Sequence, residues 1–205
     1  MPGRLFLERP LPDIADHLGA GLSDLTDIPR SNIAPGEMIV AALPGQPLTH
    51  ARWGIIPVGR VNARGRPVME TIVNARSETV FEKSAFEGVR RCLIPADGWY
   101  EWTGEKRRKQ AWRITRKSRD PVVFAGIFDV WSAPNGTEIL QVAPLTCEPN
   151  NDVRPIHHRM GVILEPSQFD TWLSGDQDRA AQLLQPLPDG LLKIEKADDV
   201  DWTAA

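Results

Sequence analysis

Five stretches of the 205-residue chain set proton-carrying, anion-binding and stacking side chains next to one another. The densest is 91–102, where Asp97 and Gly98 favour a turn and Trp99, Tyr100 and Trp102 crowd around one carboxylate, Glu101. A carboxylate among aromatic rings is poorly solvated. Its neutral form is favoured, its pKa rises, and it becomes suited to shuttling protons. The same residues also describe an aromatic core with a surface glutamate, and the segment alone leaves both open. In 73–79, Asn74 and Arg76 share a face if the chain is extended. An amide beside a guanidinium can orient a sugar and grip its phosphate, although a plain strand end has the same look. In 155–160, His157 stands beside His158, Arg159 and Met160. A histidine next to an arginine in a loop can transfer a proton beside an anion, while adjacent histidines lack the spacing of metal ligands. A solvated polar loop is the other reading. Asn32 and Pro35 fall in a turn at 31–37 that can line a pocket mouth. Arg52 and Trp53 offer a charge and a stacking plane of the kind that single-strand binders use, or simply a core tryptophan.

Stepping outward, the elements that must hold these groups are short. Eighteen prolines and sixteen glycines are spread along the chain with no repeat and no low-complexity linker. Helices are expected at 13–18, 167–173 and 177–184. Another is expected at 80–90, where Thr79 and Glu82 have capping-box spacing. Strands are expected at 37–43, 48–56, 92–94, 100–102, 111–115, 122–128, 139–143, 161–164 and 191–194, with 71–75 extended. Residues 58–66 read as an exposed loop, 105–109 as a charged hairpin tip and 148–158 as a long loop. Strands dominate and do not alternate with helices, which predicts an α+β fold in one domain over 1–205.

Composition narrows the function classes. Hydrophobic residues make up 41% and charged residues 25%, an ordinary globular balance. No apolar run approaches the roughly 20 residues of a membrane span, and the first residues mix acid and arginine too closely for a signal peptide. A cytoplasmic monomer is expected, without membrane, metal or cofactor. Cys92 and Cys147 are far apart and suggest neither a disulfide framework nor a zinc site. The net charge is −3, but residues 51–119 hold 16 of the 24 Lys and Arg and only 7 of the 27 Asp and Glu. Such asymmetry can give an acidic protein one basic face, or only a set of solvated loops.

Taken in order, the five stretches resemble the SOS response associated peptidase (SRAP) family. Its pattern runs from Met-Cys-Gly-Arg through Asn-x-x-Pro, Arg-Trp-Gly-x-x-Pro, Asn-Ala-Arg-x-Glu-Thr and Arg-Cys-Leu-x-Pro-x-x-Gly-x-Tyr-Glu-Trp to His-x-Arg-Met-Pro. The likeness spans about residues 1–165. It implies a pseudo-barrel of mixed β-sheet flanked by short helices, and a protein of the DNA damage response that recognises abasic sites in single-stranded DNA. In that family an N-terminal cysteine, exposed when methionine leaves, condenses with the sugar aldehyde to a thiazolidine. The methionine removal, proposed to be autoproteolytic, is the source of "peptidase". Carried over by position, the resemblance implies that Asn74 orients the sugar, Arg76 holds its phosphate, Glu101 moves protons at the N-terminal amine and His157 protonates the opening sugar. Arg4 and Arg159 would contact the DNA backbone, with Asn32, Pro35, Trp53, Thr146 and Met160 lining the same groove.

Three positions depart from the pattern. Pro2 replaces the cysteine, Gly59 replaces a tryptophan, and Gly161 replaces the proline after Met160. Without a thiol no thiazolidine forms. A freed Pro2 would still expose a secondary amine, able to attack an aldehyde and give an iminium ion. That chemistry predicts an abasic-site lyase with a transient crosslink. The alternatives are a degenerate paralogue that binds single-stranded or abasic DNA without chemistry, and a peptidase or protein-interaction role.

Overall fold

The computed structural model of the chain describes residues 2–22, 24–26, 28–57, 64, 71–105, 109–133, 135–198 and 200. The expected loop at 58–66, with Gly59, falls almost wholly outside them, as do the centre of the 105–109 tip and Met1. The fold is α+β, a curled mixed sheet with a few short helices. Its strands are β1 (Arg4–Leu7), β2 (Arg30–Ile33), β3 (Met38–Ala41), β4 (Thr49–Trp53), β5 (Ala75–Arg76), β6 (Arg90–Ala96), β7 (Gly98–Thr103), β8 (Gln110–Arg116), β9 (Val122–Ser132), β10 (Glu138–Cys147), β11 (Met160–Gly161) and β12 (Leu192–Ala197). Its α-helices are α1 (Leu11–Leu18), α2 (Phe169–Ser174) and α3 (Gln177–Gln182).

One sheet runs β12-β8-β7-β1-β2, antiparallel throughout. The other runs β3-β4-β10-β9-β6 and is mixed, because β10 lies parallel to β4. β9 carries Val122, Val123, Phe124, Ala125, Ile127 and Phe128, all buried. An uninterrupted apolar run of that kind fits a strand covered on both faces. The sheets meet where Trp99 of β7 packs edge-on against Phe124 of β9, 5.7 Å between ring centres. α2 closes one end: Trp172 is buried, and its indole N–H donates to the Cys92 carbonyl at 2.8 Å.

The second half of β10 positions the site. Past Val142, where β4 leaves it, β10 pairs in parallel with β5, setting Thr146 against Arg76. It also pairs with β11, setting Thr146 against Gly161. The Asn74–Arg76 and His157–Gly161 stretches, about 80 residues apart in the chain, therefore flank one residue.

Two expectations need correction. The helix at 80–90 is instead a pair of 3-10 turns, Ser77–Thr79 and Ser84–Phe86, separated by Lys83 in an extended conformation. Val80 and Phe86 are both buried, and on an α-helix they would lie roughly 120° apart, on different faces. β1 and β2 were not expected as strands. All four residues of β1 are buried, so it shows no polar alternation.

Candidate functional site

Pro2 sits buried at the start of β1, and the Asn74 amide donates to its carbonyl at 3.2 Å. This bond joins the N-terminus to the strand end that carries Arg76. Alternation along β5 turns Ala75 inward and leaves Arg76 exposed. Asn74 and Arg76 also line a cleft of about 740 Å³ with Thr79, Lys83 and Ser84.

Glu101 lies on β7 with only 3% of its surface exposed. Burial pushes its carboxyl up to about 7, against the opposing pull of the positive α-amine of Met1 and of the Trp99 indole N–H. The aromatic crowd is different from the one expected. Strand alternation puts Trp99 on the Glu101 face and turns Tyr100 and Trp102 to the other. There Tyr100 stacks with Phe6 at 5.1 Å and lies 6.3 Å from Trp102, its hydroxyl donating to the Ser31 carbonyl at 3.2 Å. The Arg113 guanidinium covers Phe6 at 4.1 Å. Arg4 pairs with Tyr100 across β1 and β7 and is almost buried at 8%.

His157 is half-buried in the loop between β10 and β11. Burial, then the charge of the N-terminus, pushes its imidazole down to about 4. Its Nδ1 accepts from the Arg159 backbone N–H at 3.0 Å, and the Arg159 carbonyl lies equally close. With Nδ1 accepting from that N–H the ring carries its proton on Nε2; with a proton on Nδ1 it would donate to the carbonyl instead. Asn150, which the sequence reading missed, builds this loop. Its Oδ1 accepts from Val153 N at 3.0 Å and its Nδ2 donates to the Leu187 carbonyl at 3.0 Å. The run of polar turn formers Asn150, Asn151 and Asp152 was the available signal.

Arg159 was expected on DNA. Here its guanidinium is clasped by both carboxylate oxygens of Glu78, one at 2.8 Å, and also donates to the Thr146 carbonyl and to Thr146 Oγ1 at 3.3 Å. Thr146 is fully buried and donates its hydroxyl to the Ala75 carbonyl at 3.2 Å, so it braces the groove from within. Trp53 and Met160 also need correction. Both are wholly buried. The Trp53 indole N–H donates to the Val73 carbonyl at 2.9 Å and so fixes the approach to Asn74. The Met160 thioether accepts from Asn150 N at 3.2 Å. Neither can stack on a base. Asn32 and Pro35 lie on β2 and the turn beyond, one strand away from β1.

Two of the three departures from the pattern meet in space. A side chain at Gly161 would press into the edge of the Phe124 ring, and its Cβ would lie 3.4 Å from Pro2 Cγ. Gly161 therefore makes room for Phe124 and lies against Pro2. Neither cysteine supplies a substitute thiol: both are buried, and burial raises both thiol pKa values, Cys147 to about 12. Among the described residues no three metal-binding side chains gather, and no helix is long and apolar enough to cross a membrane.

Comparison with known proteins gives a consistent result. The family model described as SOS response associated peptidase (SRAP) matches residues 1–200. Similar proteins of Bacillus subtilis (strain 168) include two that are each named an abasic site processing protein. YoaM is 36% identical over 180 residues, 84% of this chain and 76% of its own length. YoqW is 34% identical over 168 residues, 77% of this chain and 74% of its own. A solved structure from Bacteroides thetaiotaomicron superposes with a TM-score of 0.83 at 22% identity, covering 96% of this chain and 92% of that one. One from Bordetella bronchiseptica gives 0.81 at 24%, covering 96% and 99%. These two speak to the fold.

Proposed function

The chain belongs to the SOS response associated peptidase family, and on that premise we propose that it processes abasic sites in single-stranded DNA through the amine of Pro2, once Met1 is removed. The observation that carries this reading is that the Asn74 amide bonds to the Pro2 carbonyl; Glu101 and His157 both respond to the N-terminal amine, which in the full chain is that of Met1 and which removal of Met1 would pass to Pro2.

Each group then has a part. Free α-amines titrate at roughly 7.7–8.0, so an acceptor near 7 such as Glu101 can take the Pro2 proton at neutral pH. The neutral secondary amine adds to C1′ of the open-chain sugar, forming an N–C bond and a carbinolamine. Protonation and loss of its hydroxyl as water leaves an iminium ion. Asn74, already on Pro2, holds the sugar beside it, and Arg76 takes the adjoining phosphate. His157, neutral at pH 7, acts through its Nε2–H as a hydrogen-bond donor to the sugar oxygen. The iminium acidifies C2′; loss of that proton sends the electron pair to expel the 3′ phosphate, and water then releases the amine. No thiol stands at position 2, so the adduct is transient.

The test is a single-stranded oligonucleotide with one abasic site, incubated with the protein with and without borohydride and run on a denaturing gel. A crosslink only with borohydride, and strand cleavage without it, is the expected result. Neither crosslink nor cleavage, from protein whose intact mass shows Met1 removed, would leave only DNA binding.

A further inference from the structure

We infer that Glu78 is a positioning residue for this site: by clasping the Arg159 guanidinium it holds the Arg159 backbone against His157 and so fixes the imidazole. The role rests on the reading of His157 given above. Glu78 sits in the 3-10 turn Ser77–Thr79, directly after β5 and on the same stretch as Asn74 and Arg76. Its two oxygens take Nη1 and Nη2 of Arg159, a two-point contact that sets direction as well as distance. Nη2 goes on to the carbonyl and hydroxyl of Thr146, whose own hydroxyl returns to Ala75. The Arg159 side chain is only 12% exposed and is held both from β10 and from the turn that follows β5. The strength of the contact agrees with its geometry: Arg159 holds the Glu78 carboxyl below its ordinary range, and Glu78 raises Arg159.

The consequence is at the backbone. N and O of Arg159 both stand 3.0 Å from His157 Nδ1. When the ring is neutral, Nδ1 accepts from the N–H and the proton sits on Nε2. When the ring gains a proton, Nδ1–H donates to the carbonyl. One residue thus serves both states without a ring flip, provided that its main chain does not move. Glu78 and Thr146 are what keep it still, and Glu78 also couples the loop to the segment that carries Asn74.

Glu78→Gln tests this, because it keeps size but loses the charge and one acceptor; Glu78→Asp is the conservative control. Three readouts are needed: the borohydride-trapping rate at saturating protein, the affinity for the same oligonucleotide, and the imidazole 15N shifts of His157 without DNA. Glu78→Gln is expected to slow trapping about ten-fold or more while affinity stays within about three-fold. It should also turn a single Nε2–H tautomer into a mixture, with Glu78→Asp intermediate. An unchanged rate and tautomer would overturn the role. So would a loss confined to affinity, which would put the pair in the DNA grip. If the unmodified protein forms no adduct, the amine chemistry fails, while the 15N comparison still decides whether Glu78 fixes His157.

Discussion

Glu101 and His157 answer to the same N-terminal charge from unlike supports. Glu101 is built into β7, hydrogen-bonded on both sides by β1 and β8, and is almost wholly buried. His157 rides on a loop shaped by Asn150, its ring held by the Arg159 backbone and stacked on His158 at 4.3 Å. Burial drives both toward the uncharged form, which means opposite directions on the pH scale: the carboxyl rises to about 7 and the imidazole falls to about 4. In water the carboxylic acid is the stronger acid of the two; here the imidazolium is. On the proposed mechanism the strand-held group is the proton acceptor near neutral pH, and the loop-held group is a hydrogen-bond donor.

The largest effect should come from breaking the strand side. Glu101→Gln keeps shape and removes the acceptor, so borohydride trapping should fall about 100-fold or more, with DNA affinity retained. In the unmodified protein the trapping rate should rise with pH through about 7, as Glu101 ionises. A flat profile would make Glu101 a bystander. A smaller effect is expected at the junction of the two sides. Gly161→Ala sets a methyl group against Phe124 and Pro2. We expect it to slow trapping by about ten-fold, with lowered Tm, and a second change, Phe124→Leu, to restore Tm by yielding space. An alanine that costs neither rate nor Tm would mean that Pro2 is not seated by this contact.

The difference between the two sides also explains what the sequence could tell. The residue types at Asn74, Glu101 and His157 were legible because each stands in a short stretch dense in reactive side chains. The strands of the central sheet were legible from apolar runs such as 122–128. What was not legible depended on partners distant in the chain. β1 was hidden because all four of its residues are buried. The 80–90 helix followed local capping spacing that the burial of Val80 and Phe86 overrides. Trp53 and Met160 looked like contact residues because both neighbour arginines, yet both face inward. Tyr100 and Trp102 were assigned to Glu101 through adjacency in sequence, although alternation along a strand places every second residue on the opposite face. Glu78 stood inside the Asn-Ala-Arg-x-Glu-Thr motif without an assigned role, since its partner Arg159 is 81 residues away.

The smallest effects are on stability, and they separate the two sides by sign. A carboxyl whose pKa is raised by folding, from an ordinary 4.5 to about 7, binds more protons folded than unfolded between those values. It therefore costs stability progressively as pH climbs from 4.5 to 7, and the full cost persists above that. Glu101→Gln should accordingly raise Tm at pH 8, through a gain in stability on the order of 3 kcal/mol, and leave it unchanged at pH 4. The imidazole is the mirror case. Its pKa is lowered from 6.5 to about 4, so its cost appears as pH falls through that interval. His157→Asn retains an acceptor near Nδ1 and should raise Tm at pH 4 but not at pH 8, by less than the Glu101 change because the ring is partly solvated. Thermal melts of the two variants at both pH values are enough to check this. If both gained stability on the same side of neutrality, burial would not be what sets the two groups apart.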